Sequence, residues 1–460
     1  MKHLRVLGTF ALAMISINAI LSLRSLPAMA SLGPQAISFF ILAAVCFLIP
    51  SALVCAELST AIPENGGIYT WVRTAFGDKT GFVAIWMEWA NNIIAFPASL
   101  ATIVATIAYI GFPTLATNKH ELFTLMVLIL WGTTLYNFLG IKASSRLNIL
   151  GALFGLIVPG VIIIGLGCYW MITHPEVRAA LAQQPILPDW HLGSLAIFIS
   201  TLGAYSGMQI TAFYAQNVNN PQRNFPRAIA LATVVILIVS ILATLSISAV
   251  LPHGQVNWIN GVIESFSVFF QTFHLTFLTP ILAALIVLGS IGSLSAWLLG
   301  PARGLRNACE QHHILHKFAR NSKRDIPLRI LVLQALICTG LAAIFLFMPT
   351  LKSAFWLLIT LTSQFTVLMY ILVFAATIRL RYSQAKLPRP FRIPGGNSMV
   401  WLVCGVGITT CVAGFCLGLF PPSSIGITHV FSYAMMVLLG DVVLIAIPLL
   451  FLALSKRGKA

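Results

Sequence analysis

Few side chains in this chain are equipped for chemistry, because charged residues make up only 8% of its 460 positions. His312, His313 and His316 are close enough to evoke a metal site, but they lie in a basic stretch with only Glu310 and Asp325 nearby. That composition reads as a solvated loop, and neither a C-x-x-C pair nor any other enzyme signature is present. Arg24, Glu88 and Asp441 each stand alone inside an apolar run, where an ionisable group needs a partner or water. The stronger signal concerns backbone chemistry. Ile20-Leu21-Ser22-Leu23-Arg24-Ser25-Leu26-Pro27 and Gly203-Ala204-Tyr205-Ser206-Gly207-Met208-Gln209 interrupt two long apolar segments. Pro27 lacks a backbone N–H and Arg24 costs roughly 2.5–3.5 kcal/mol in hydrocarbon, so the first helix is expected to break here. Freed N–H and C=O groups at membrane depth need partners, and a bound solute can supply them.

The elements that must position these breaks follow from composition. Hydrophobic residues reach 58%, whereas soluble domains carry about 25% charged residues, so the chain reads as an all-α polytopic membrane protein. Runs near the ~20 residues needed to span occur at about 7–30, 35–61, 81–111, 122–140, 147–173, 193–216, 227–251, 275–300, 327–348, 354–378, 399–420 and 430–454. The formal charge of +16 is distributed by topology. With the N-terminus cytoplasmic, 23 of the 27 Lys and Arg fall in inside segments, while Lys119, Arg178 and Lys352 are outside and Arg24 is intramembrane. The asymmetry predicts an N-in, C-in orientation and argues against a nucleic-acid partner. None of the eight cysteines falls in an outside loop, so neither disulfides nor metal sites are expected. The segment after Lys2 and Arg5 resembles a signal peptide, but its apolar run is too long for one, and it is read as the first span.

After five crossings the next span starts from the opposite side, so segments one to five and six to ten run in opposite senses. Breaks in the first span of each unit complete the pattern of an inverted repeat. The expected organisation is residues 1–173 for the first five helices, 193–380 for the second five, and 399–454 for two peripheral helices that serve as scaffold or homodimer contact. Phe266, Phe269, Phe270 and Phe273 recur at roughly helical spacing between Pro252 and His274, which predicts a helix lying on the outer face.

Several motifs, in order, carry a family resemblance. They are Pro63-Glu64-Asn65-Gly66-Gly67-Ile68-Tyr69-Thr70-Trp71, Tyr205-Ser206-Gly207-Met208-Gln209 with Asn220-Pro221-Gln222-Arg223-Asn224-Phe225-Pro226, Gly292-Ser293-Leu294-Ser295-Ala296-Trp297 with Gly300-Pro301-Ala302-Arg303-Gly304, and Phe391-Arg392-Ile393-Pro394-Gly395-Gly396. Together they resemble the amino acid/polyamine/organocation transporters, and most nearly the bacterial glutamate/γ-aminobutyrate antiporter group. The resemblance implies twelve transmembrane helices in a LeuT-like 5+5 inverted-repeat core with broken helices 1 and 6, plus two peripheral helices. It implies that the solute's amino and carboxyl groups meet backbone at Leu21 and Ser22 and at Ala204, Ser206 and Gly207, with Tyr205 beside them. It also implies that Trp297 closes over the substrate from inside and that Glu88 faces Gln209 at an inner gate. Several relatives carry a carboxylate where Gln209 stands, which leaves Glu88 as the titratable candidate there.

Arg24 has no obvious carboxylate partner in the sequence, so its planar fork is expected either to engage a substrate carboxylate or to cap the broken helix. Glu57, near the inner end of the second span, reads as structural. Ser293 and Ser295 are the residues that could coordinate a sodium ion. The resulting expectation is a bacterial inner-membrane secondary transporter that moves an amino acid, or exchanges it for its amine, by alternating access, without cofactor or metal. A proton- or sodium-coupled symporter and a non-transporting substrate sensor are the rival readings.

Overall fold

The computed structural model describes residues 8–64, 66–112, 118–188, 190–251, 256–312, 326–347, 351–421 and 430–457. Every long element is helical. Nine helices among the described residues are long and apolar enough to cross a membrane, from Gln35–Ala61 to Val430–Leu450. The histidine group falls outside this description, as do the Arg24 side chain and residues 252–255 of the aromatic connection.

Helix α1 (Thr9–Ile20) ends at Leu21 and Ser22, whose backbone is extended, and a 3₁₀ turn over Leu23–Ser25 leads into α2 (Leu26–Ala30). The break therefore lies upstream of Pro27. Proline occupies the first turn of α2, where its missing N–H would have had no acceptor anyway, so it starts the second half-helix rather than ending the first. Helices α3 (Gln35–Ala43) and α4 (Ile49–Ala61) form one span through a π-helical turn, and α5 (Ile68–Phe76) precedes the long α6 (Asp78–Gly111). Next come α7 (Lys119–Asn137), α8 (Ile141–Ala152) and α9 (Val158–Thr173), the last two joined by a π-helical turn at Leu153–Ile157. The short α10 (Pro175–Ala182) leads to α11 (Leu192–Ala204).

The second break follows α11. Tyr205 leaves the helix, Gly207 takes φ +131°, and the chain resumes as a 3₁₀ helix over Met208–Asn217. The remaining elements are α12 (Pro221–Val250), α13 (Gly261–Thr272), α14 (Leu278–His312), α15 (Leu328–Ala342), α16 (Ile344–Phe347), α17 (Leu351–Ser383), α18 (Gly396–Leu417) and α19 (Val430–Arg457). Of the expected aromatic stripe, Phe266, Phe269 and Phe270 are buried in α13, while Phe273, just past its end, is half-buried.

Helix α6 is the axis of the bundle, packed along α14 and α17, while α14 also lies against α8. Where α14 meets the π-helical turn that follows α8, the approach is backbone on backbone: a Cβ built on Gly155 would lie 2.1 Å from the Gly289 Cα. Only glycine permits that separation. One end of the bundle, where α6 begins and α4 and α17 finish, carries a buried ion cluster. Glu57, 1% exposed, accepts from Arg381 Nη2 at 2.6 Å, from the Ile393 N–H at 2.9 Å, and pairs with Arg389 at 3.3 Å. Glu57 is thus structural: it ties α4 to α17 and to the segment leading into α18. This is the basic end of the molecule.

Candidate functional site

Both breaks open onto one cavity of about 200 Å³. From the first break come Ile20, Leu21, Ser22 and Leu23, from the second Gly203, Ala204 and Ser206, and from α14 Ser290, Ser293 and Trp297. The C-terminal turns of α1 and α11 bring carbonyls without intrahelical donors, which suit an ammonium, and the first N–H groups of the Leu23–Ser25 turn have no intrahelical acceptor, which suits a carboxylate.

Helix α6 supplies the wall that sequence reasoning missed. Asn92, Phe96, Ser99, Thr102 and Thr106 recur every three or four residues, so they share one face, and all line the cavity. Their periodicity was legible in the sequence, as a polar stripe inside a long apolar segment. Ser99 donates to Ala95 O at 3.1 Å, Thr102 to Ala98 O at 3.1 Å and Thr106 to Thr102 O at 2.8 Å. Hydroxyls that spend their protons on their own helix present lone pairs to the cavity, so this wall accepts hydrogen bonds.

Toward the basic end the cavity gives way to a buried polar chain. Gln209 Nε2 donates to Glu88 Oε1 at 3.2 Å, and Gln209 Oε1 accepts from the Tyr370 hydroxyl and, at 3.1 Å, from the Gly207 N–H. Glu88 and Tyr370 are fully buried and Gln209 is 2% exposed. Glu88 lies one helical turn before Asn92 on α6, and Asn92 Nδ2 donates to the Glu88 carbonyl at 2.7 Å, so the polar chain and the cavity wall share one helix. Tyr370 was not foreseen. A tyrosine within an apolar run gives no sign of its partner 161 residues away.

The other sequence-derived residues separate into groups. Leu21, Ser22, Ala204, Ser206 and Trp297 line the cavity, whereas Tyr205 and Gly207 do not. The Tyr205 ring packs against Phe40 at 5.8 Å, and the Gly207 N–H is held by Gln209 and Tyr370, so Gly207 belongs to the buried polar chain rather than to the cavity lining. Ser293 lines the cavity, but Ser295 bonds to Ser144 at 2.8 Å and to Asn137 at 2.7 Å, so the two serines do not converge on a cation site. No cluster of metal-ligating side chains occurs among the described residues.

At the opposite end, Asn260 just before α13 lines the cavity and donates to the Tyr109 hydroxyl at 3.3 Å, and that hydroxyl donates to Glu264 at 3.4 Å. Gly261 rests on Pro27. Helix α13 therefore bridges α6 and α2 at this mouth.

The amino acid permease family model matches residues 7–440. The chain belongs to this family. The permease is 38% identical to an uncharacterized transporter of Legionella pneumophila over 97% of its own length and 96% of that protein's. It is 27% identical to the glutamate/γ-aminobutyrate antiporter of Lactococcus lactis strain IL1403, over 99% and 92% of the two chains. Among solved structures it superposes on MhsT in complex with L-phenylalanine with a TM-score of 0.61 at 15% identity, covering 88% of this chain and 98% of that one. A Na⁺-coupled sialic acid symporter gives a TM-score of 0.56 at 14% identity, with 91% of each chain covered. These likenesses are of fold. The permease is thus a multi-pass membrane transporter of the amino acid/polyamine/organocation superfamily and not an enzyme.

Proposed function

We propose that this permease exchanges amino acids, or an amino acid for its amine, across the bacterial inner membrane by alternating access. The observation that carries the reading is the single cavity shared by both helix breaks, with Glu88, Gln209 and Tyr370 hydrogen-bonded to one another beyond it; in this reading that polar chain is the inner gate. In this reading the solute's ammonium meets the carbonyls of the first and second breaks, with Ser22 and Ser206 beside it, and its carboxylate meets the first-break N–H groups. Arg24, flanked by the lining residues Leu23 and Ser25, is the second candidate for an acidic side chain. Trp297 closes the cavity from the cytoplasmic side.

The arrangement we assign is twelve spans with N-in, C-in topology, the basic end facing the cytoplasm, and 1–173 and 193–380 as inverted repeats. Residues 399–454 are then peripheral, available as scaffold or homodimer contact. Antiport is favoured by the names of two relatives of Lactococcus lactis, a glutamate/γ-aminobutyrate antiporter matched over 99% of this chain and a probable agmatine/putrescine antiporter matched over 81% of it.

Counterflow in proteoliposomes tests the proposal. Labelled amino acid should enter only when a counter-substrate from the twenty amino acids and their amines is inside. Uptake driven by an imposed sodium or proton gradient without counter-substrate would establish a symporter. Saturable binding without any uptake would establish a sensor.

A further inference from the structure

Asp441 has no place in the exchange path, and its setting is chemically anomalous. It is 2% exposed, and among the described residues neither carboxyl oxygen has a hydrogen-bond partner. It stands eleven residues into α19, about 16 Å from the helix start at ~1.5 Å per residue, well inside a hydrocarbon core ~30 Å thick.

The helix is pinned on both sides of it. Before Asp441, the Tyr433 hydroxyl accepts from Trp356 Nε1 at 3.1 Å and donates to Thr360 at 3.0 Å, both on α17. After it, Trp86 Nε1 of α6 donates to the Leu444 carbonyl at 3.1 Å. A Cβ on the adjoining Gly440 would lie 3.0 Å from Leu361 of α17. Asp441 is thus held against α6 and α17 and cannot turn to another copy or to the headgroups.

The described titratable groups of these packed helices are engaged elsewhere or stand near the helix ends. On α6, Glu88 is bonded to Gln209, and on α17, Tyr370 is bonded to Gln209 while Arg381 holds Glu57 at the basic end. Tyr433, on α19 itself, is bonded to α17. Lys79 and Asp78 of α6 and Arg379 of α17 stand at the terminal turns of their helices. No ion pair reaches Asp441 among the described residues. A single carboxyl with no second ligand does not make a metal site, and an unpaired buried carboxylate neutralises rather than remain charged.

We propose that Asp441 is a proton-binding site outside the substrate cavity, carrying a proton while α19 is docked on α6 and α17. The proton comes from water and returns to it. When it leaves, the carboxylate draws water into the α19 contact and loosens the packing on α6, the helix whose Glu88 forms the gate.

Infrared spectroscopy of the full chain in lipid nanodiscs at neutral pH reads the proton directly. The protonated-carboxyl C=O band should be lost in Asp441→Asn and kept in Glu88→Gln. An Asp441→Asn spectrum with that band undiminished overturns the proposal. In proteoliposomes, wild-type exchange should fall as pH is made alkaline, and Asp441→Asn and Asp441→Leu should resist that fall. An alkaline loss identical in all three proteins overturns it, as does failure of both uncharged variants to fold.

Discussion

Gln209 donates from Nε2 to Glu88 Oε1 at 3.2 Å, although 121 residues separate them in sequence. The bond joins the 3₁₀ helix after the second break to the helix that forms the cavity wall. If, as proposed, this contact is the inner gate, opening must part the two, and the gate is then a hydrogen bond between an amide and a carboxyl rather than an ion pair.

Gln209→Glu would place two carboxyl groups at this separation. Like charges so close do not both ionise, so one of them must hold a proton. Exchange by Gln209→Glu should acquire a pH dependence steeper than that of the parent, and adding Glu88→Gln should remove it. Exchange rates in proteoliposomes across the mildly acid and neutral range decide this.

Gly207 is at φ +131°, and a Cβ there would lie 2.9 Å from Ile20 Cγ1 on the other broken helix. Such backbone strain costs about 1–3 kcal/mol at a non-glycine residue. Gly207→Ala should impair exchange, and Gly207→Val should abolish it while leaving membrane expression intact. Near-normal uptake by the valine variant would remove Gly207 from the gate.

Glu57→Gln would leave Arg381 and Arg389 buried side by side without their shared carboxylate. Burial already pushes the Arg389 pKa down, with Arg381 and Arg392 acting in the same direction and Glu57 opposing them. Removing one partner of a buried ion pair costs ~3–5 kcal/mol. Thermal unfolding in detergent should show a large loss of stability, in contrast to the small effect expected of a surface bridge such as Arg73–Asp78.

Burial raises the pKa of Glu264 above the ordinary glutamate value, with the Tyr109, Asn257 and Asn260 hydrogen bonds opposing. A carboxyl whose pKa rises on packing favours the packed form while it is protonated. Its contribution is therefore complete below the ordinary value, ~4.3, and is lost as pH climbs through the raised one. Hydrogen exchange in α13 should be slowest at acid pH and should quicken across that window, and Glu264→Gln should flatten the change.

Sequence alone determined that the chain is built of membrane-length helices and that two apolar segments are interrupted, because both depend on local physics. An apolar run of spanning length reads as a helix in lipid, and Pro27 with Arg24 in one segment and the stretch from Gly203 to Gln209 in the other mark interruptions without reference to any distant residue. The pairing of Glu88 with Gln209 was also legible, through the order of motifs that resemble the family. Tertiary structure decided the rest. It placed the break at Leu21 and Ser22 and made Pro27 the start of a half-helix, which no proline rule dictates by itself. It turned Gly207 toward Tyr370 instead of the cavity, separated Ser293 from Ser295, and enclosed Asp441 with no hydrogen-bond partner among the described residues. Each of these depends on how helices rotate about their own axes when packed. That rotation is set by contacts between residues far apart in the chain, such as Gly155 against Gly289, and one chain's local pattern does not encode it.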